Sequence, residues 1–223
     1  STLHVCKGAV PAVMALCHTD ASGRKNIEDV IRSFAGRGLR TVAVAEDVSH
    51  DDDDDDNNNS TEPAWRVVAL LTFLDPPRPD SGATLKKLND NGVEVKMITG
   101  DHLLIGLETA KQLGMRHFGG GELQFQGDEY LAALDSNQST LHDVPLDELT
   151  IQADGFAGVA PKHKYRVVET LQRLHHVVAM TGDGVNDAPA LHRANVGIAV
   201  HGSTDAAKAA ADLVLLDSGI SVI

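Results

Sequence analysis

The chain has 223 residues, of which 42% are hydrophobic and only 4% aromatic. That is enough for one large or two modest domains with aliphatic cores of Val, Leu, Ile and Ala. Its net charge of −13 argues against nucleic acid as a partner, because phosphate backbones require clustered Lys and Arg. No apolar run approaches the roughly 20 residues that span a bilayer, and the two cysteines, Cys6 and Cys17, lack metal-site spacing and read as reduced thiols.

In chain order, Val10 to Leu16 and Ile27 to Phe34 carry helical periodicity, and Arg40 to Ala45 alternates like a strand. The tract Asp51 to Asn59 holds like charges that repel and cannot build a core, so positions 48–62 are expected to form a disordered acidic loop. Trp65 to Leu74 is an apolar strand whose pairing with the Arg40 strand would make that tract a hairpin insertion. Asp75-Pro76-Pro77-Arg78-Pro79-Asp80 cannot extend a helix or a central strand and reads as a stiff connector over 75–80.

Beyond it the pattern alternates. Helices are expected at Ser81–Asn89, Leu103–Leu113, His163–Leu174, Ala188–Arg193 and Thr204–Ala211. Strands are expected at Val93–Ile98, Gly155–Val159, Val177–Met180, Val196–Val200 and Leu213–Leu216, and Gly119 to Glu148 reads as loop-heavy with weak helical pieces. This alternation predicts an α/β fold, a doubly wound parallel sheet covered on both faces.

The most informative stretch is Thr181-Gly-Asp-Gly-Val-Asn-Asp-Ala-Pro-Ala-Leu191. It follows an apolar run, His176 to Met180, read as a buried strand. Pro189 sits near a helix start, where its missing N–H costs nothing. Asp183, Asp187 and Asn186 are therefore held on a tight turn at the carboxyl end of a strand, where open parallel sheets bind ligands. Hard oxygen donors on such a turn suit Mg²⁺, which takes few carboxylates and keeps waters or phosphate oxygens. The chemistry indicated is magnesium-dependent phosphoryl transfer.

Thr99-Gly100-Asp101 ends another strand and precedes a helix, a natural phosphate cradle, although a plain capping turn produces the same triplet. Lys164 lies between a strand and its helix and can reach a phosphoryl oxygen or a carboxylate; taken singly it is a surface lysine, and Lys162 and His163 are weaker candidates that read as surface groups. Lys7-Gly8-Ala9 and Gly38-Leu39-Arg40 could clamp a triphosphate or simply expose charge. The eleven histidines form no metal-binding spacing, and no Ser-His-Asp or Cys-His pattern stands out.

Together these motifs resemble, in order and over nearly the whole chain, the cytoplasmic part of a P-type ATPase, closest to the plasma-membrane proton-pump branch. The resemblance implies that 1–74 is the C-terminal part of an α+β nucleotide-binding domain, 75–80 a hinge, and 81–223 a phosphorylation domain of haloacid-dehalogenase type lacking its first strand. It assigns Mg²⁺ to Asp183, with Asp187 also at the metal and, with Asn186, supporting the phosphorylated site. It gives Lys164 the aspartyl phosphate, Thr99, Gly100 and Asp101 the phosphoryl group and nucleotide, and Lys7, Gly8 and Arg40 the ATP. The family's nucleophile lies in Asp-Lys-Thr-Gly-Thr, a string absent from these residues and expected upstream of Ser1. The implied partners are therefore ATP and the remaining parts of the same pump: the actuator domain, the membrane helices and the Asp-Lys-Thr-Gly-Thr segment. The implied place is the cytoplasmic face of the plasma membrane. Two other readings stay open, a soluble phosphatase of the haloacid-dehalogenase type and a non-catalytic module that binds ATP or Mg²⁺.

Overall fold

The computed structural model describes residues 4–49, 64–115, 117 and 121–222; the acidic tract at 51–56 lies outside them. The chain divides into two compact units, Ser1–Asp75 and Pro76–Ile223. No helix of the described residues is long and apolar enough to cross a membrane.

In the first unit, β1 (Val5–Ala9) leads directly into α1 (Val10–Leu16), whose early Pro11 needs no N–H partner. Helix α2 (Ala21–Ala35) starts earlier than its periodicity suggested, because the Asp20 carboxylate accepts the Gly23 N–H at 2.8 Å and caps it. Strands β2 (Arg40–Asp47) and β3 (Trp65–Phe73) pair antiparallel, Arg40 opposite Phe73 and Asp47 opposite Trp65. The sheet order is β1-β2-β3. Fully buried Ala43 and Ala45 face the helices, packing with Val10, Val13, Met14 and partly buried Ile27, Ile31 and Leu70. Lys7-Gly8-Ala9 directly precedes helix α1, and all three residues lie within β1. A five-residue strand with a lysine and a glycine in it leaves no clear period-2 signal.

The second unit runs α3 (Ser81–Asp90), β4 (Met97–Ile98), α4 (Leu103–Gln112), β5 (Phe125–Gln126), α5 (Asp128–Asp135), β6 (Thr140–Leu141), β7 (Val144–Pro145), α6 (Leu146–Gln152), β8 (Gly155–Phe156), α7 (Pro161–Arg173), β9 (Ala179–Gly182), α8 (Ala188–Arg193), β10 (Val196–Ala199), α9 (Asp205–Ala210) and β11 (Leu213–Val214). The fold is mixed α/β, as alternation predicts. The expected single doubly wound sheet is instead two small three-stranded parallel sheets, β4-β8-β5 and β9-β10-β11, with a β6-β7 hairpin.

Three further expectations need correction. The strand expected from Val93 is confined to Met97–Ile98, and Val93 is exposed. The run read as a buried strand from His176 shifts toward the loop: Val177 is 86% exposed, and ladder pairing starts at Ala179. Here the side chain of Asn195 accepts the Val178 N–H at 2.9 Å and so ends the ladder. The segment 119–148 is not loop-heavy over its second half. Tyr130, Leu131 and Leu134 of α5 and Leu146 of α6 are buried around Phe156, and the Tyr130 hydroxyl meets that of Thr150 at 2.7 Å. Two helices of eight and seven residues are too short for periodicity to show against an acid-rich background.

Candidate active site

The acidic loop leaves β9 at Gly182 and turns through a short 3-10 segment, Val185–Asp187, into α8. Gly182 is required by close approach: a Cβ there would sit 2.5 Å from that of Asp187. Asp187 is buried, and both of its oxygens are committed. One accepts from the Lys164 ammonium at 2.6 Å, the other from the N–H groups of Asp183 at 3.2 Å and Gly184 at 3.1 Å. Burial pushes the Asp187 carboxyl up, but Lys164 and these amides outweigh it and hold the group below the usual carboxylate range.

Asp183 differs from Asp187. Its side chain is exposed, while its carbonyl accepts the Thr204 N–H at 2.8 Å, and the neighbouring Gly182 carbonyl accepts from Val200 at 3.1 Å. The loop is thus pinned from behind with the Asp183 carboxylate left toward solvent. Asn186 is also exposed. Among the described residues no three His, Cys, Asp or Glu side chains group tightly enough to hold a metal unaided. One open carboxylate beside a committed one fits Mg²⁺ held jointly with a substrate phosphate rather than in a protein cage. Both Asp187 oxygens are taken up here by Lys164 and the two loop amides.

Thr99 and its neighbours stand at the same kind of edge. The Thr99 hydroxyl accepts the Asp101 N–H at 3.1 Å. Its N–H donates to Phe156 at 2.9 Å and its carbonyl accepts from Val159 at 3.1 Å, while the Asp101 carbonyl accepts from Gly158 at 2.8 Å. These bonds stitch the Thr99-Gly100-Asp101 turn to residues 156–159, which lead into α7 and so to Lys164.

His163, read above as a surface group, is buried. Its Nδ1 accepts the Ala160 N–H at 3.0 Å, and its Nε2 lies 3.1 Å from Asp135, which also accepts from Lys162 at 2.6 Å. This clasp fastens the first turn of α7, one residue before Lys164. The signal available in the sequence was a side chain at the third helical position, where capping boxes form.

Lys7, Gly8 and Arg40 belong to the first unit. Lys7 lies opposite Val44, and Arg40 is on the same strand at even spacing from Val44, so both face away from the side covered by α1 and α2. Lys7 is exposed; Arg40 pairs with Asp75 at 3.0 Å.

A parallel α/β unit with an open acidic loop, a lysine-anchored carboxylate and a threonine turn at its strand ends has the form of a phosphoryl-transfer hydrolase. The chain belongs to the haloacid dehalogenase-like hydrolases: a model of that family matches residues 14–195. Members of this family generally use Mg²⁺, and the open Asp183 carboxylate suits it.

Proposed function

We propose that this chain is part of an ATP-driven cation pump of the P-type ATPase family, in its proton-pump branch, working at the cytoplasmic face of the plasma membrane. The observation that carries the reading is the Lys164–Asp187 pair beside the open Asp183 carboxylate, reached through the ordered set of motifs described above. A carboxylate nucleophile from the Asp-Lys-Thr-Gly-Thr segment would attack the γ-phosphorus of ATP; the bond to the ADP oxygen breaks and ADP leaves. Water then attacks phosphorus, and phosphate and free carboxylate are regenerated. Lys164 supplies positive charge to the transferring group, the Thr99 hydroxyl and the Gly100 amide offer donors to phosphoryl oxygens, and Asp187 keeps the lysine aimed. Bound at Asp183, Mg²⁺ would offset charge on the phosphoryl oxygens. Asp101 and Asn186 would contact nucleotide and phosphate, and Lys7, Gly8 and Arg40 would hold ATP in the first unit.

A second reading, a soluble phosphatase, is supported equally by the hydrolase match over residues 14–195. One assay separates the two. The pump reading expects the purified chain to bind Mg-ATP and to form no acid-stable phosphoenzyme from γ-labelled ATP, because its nucleophile lies on another segment. Hydrolysis of p-nitrophenyl phosphate that Asp183→Asn abolishes would replace the pump reading with the phosphatase.

A further inference from the structure

His163 is a buried titratable group that takes no part in the chemistry above, and its hydrogen bonds fix its tautomer. A backbone N–H can only donate, so the Nδ1 that meets the Ala160 N–H at 3.0 Å is an acceptor and carries no proton. The proton of the neutral ring then lies on Nε2, which donates to the Asp135 carboxylate at 3.1 Å. Lys162, and after it His163 itself, holds the Asp135 carboxyl below its usual range, so that it stays an acceptor.

A second proton on the ring can go only to Nδ1. There it would set one N–H against another, and the bond to Ala160 is lost. Ala160 has no side-chain oxygen with which to cap α7, so the side-chain cap of this turn comes from His163, third in the helix. The next residue is Lys164, bonded to buried Asp187 at 2.6 Å. Asp135 favours the charged ring. Lys162, which shares that carboxylate at 2.6 Å, and the positive end of α7 oppose it. Other charges on the elements around α7 are engaged elsewhere: Arg166 with the Leu134 carbonyl and Asn137, Asp147 of α6 with Arg173, and Arg193 of α8 with Glu169 at 4.0 Å.

We propose that His163 is a positioning residue for Lys164 and that it acts only as the neutral imidazole. Its protonation between about pH 8 and about pH 5.5, where imidazoles charge, releases the first turn of α7 and loosens the lysine on its site. This inference rests on the reading that Lys164 serves the transferring phosphoryl group, which the pump and the phosphatase share.

The test is competitive acetylation of the 223-residue chain with acetic anhydride, read by mass spectrometry as the reactivity of Lys164 relative to exposed Lys25. From pH 8 to pH 5.5 that ratio should rise about five-fold in the unaltered chain, the factor for loss of one cap. His163→Gln, whose amide can accept from Ala160 and donate to Asp135 without titrating, should keep the low ratio at both ends. His163→Ala should show the raised ratio throughout. Nitrogen-15 shifts of the ring should show the Nε2–H tautomer at pH 8. No step in the unaltered chain, the same step in His163→Gln, or an Nδ1–H tautomer at pH 8 overturns the proposal. If circular dichroism shows His163→Ala unfolded, the unaltered chain against His163→Gln decides alone. The phosphoryl reading has its own readout: Mg-ATP at pH 8 must slow Lys164 acetylation relative to Lys25. A pH step without that protection keeps the positioning of Lys164 by His163 and removes the phosphoryl reading.

Discussion

Asp183 and Asp187 look equivalent in sequence, and the structure gives them opposite work. Asp187 is a buried anion held by one lysine and two amides. Removing one partner of such a pair leaves an uncompensated buried charge, which costs about 3 kcal/mol or more. Lys164→Met should therefore lower unfolding stability by about 3 kcal/mol in urea titration, and Lys164→Met with Asp187→Leu should recover part of that loss. If the double variant is no more stable than the single, the pair is not the source. The pH dependence follows in sign. The folded-state pKa of Asp187 is depressed, so the unfolded chain binds more protons. The contribution of this group is complete above the ordinary value of 3.8 and is lost as pH falls through its depressed folded value. Asp147, held low by the Arg173 guanidinium, adds in the same direction. In Lys164→Met, which removes the largest of the causes that lower this carboxyl, acid unfolding should begin at higher pH. Asp183→Asn, in contrast, should leave stability within about 0.5 kcal/mol, as for an exposed side chain, and abolish Mg²⁺-dependent binding of ATP seen by calorimetry. Unchanged Mg²⁺ dependence would remove Asp183 from the metal.

At the scale of elements, the acidic loop was legible because its chemistry and its turn are local. Gly182, Asp183, Asn186, Asp187 and Pro189 lie within one strand–turn–helix segment, so spacing alone placed them. Commitment of Asp187 was not legible, because Lys164 comes from α7, 23 residues back. The same holds for His163, whose burial depends on Asp135 at the end of α5. Strand boundaries failed for a related reason: β4, β5, β8 and β11 have two residues each, and no period of two can be read from two residues. The strand–turn geometry also makes a prediction. Gly182→Ala places a methyl 2.5 Å from the Asp187 Cβ, a backbone-anchored neighbour that cannot swing aside. Overpacking of this kind costs about 1–3 kcal/mol. It should also displace Asp187 from Lys164, so Gly182→Ala and Lys164→Met should be clearly sub-additive in stability. Full additivity would mean the turn relaxes without disturbing the pair.

For the whole molecule, the sequence showed a change of pattern at the prolines after Asp75, and compactness divides at Asp75 and Pro76. What composition could not show is that each unit has its own sealed core, because burial depends on partners far apart in sequence. Met14 packs with Ala43 and Ala45, and Phe156 with Tyr130 and Val167. The single tryptophan turns this division into a measurement. Trp65 packs against the core of the first unit, so its fluorescence reports that unit, while far-ultraviolet circular dichroism reports both. Met14→Ala should cost about 2–5 kcal/mol and Phe156→Ala about 3–5 kcal/mol, the range for emptying a buried site. In a small unit each kcal/mol moves the midpoint by about 4–8 °C. Met14→Ala should then lower the Trp65 transition by about 10 °C or more, leaving a second dichroism transition in place. Phe156→Ala should lower that dichroism transition and leave the Trp65 midpoint unmoved. If either substitution shifts both signals together, the two cores melt as one cooperative body and the division at Asp75 has no energetic meaning.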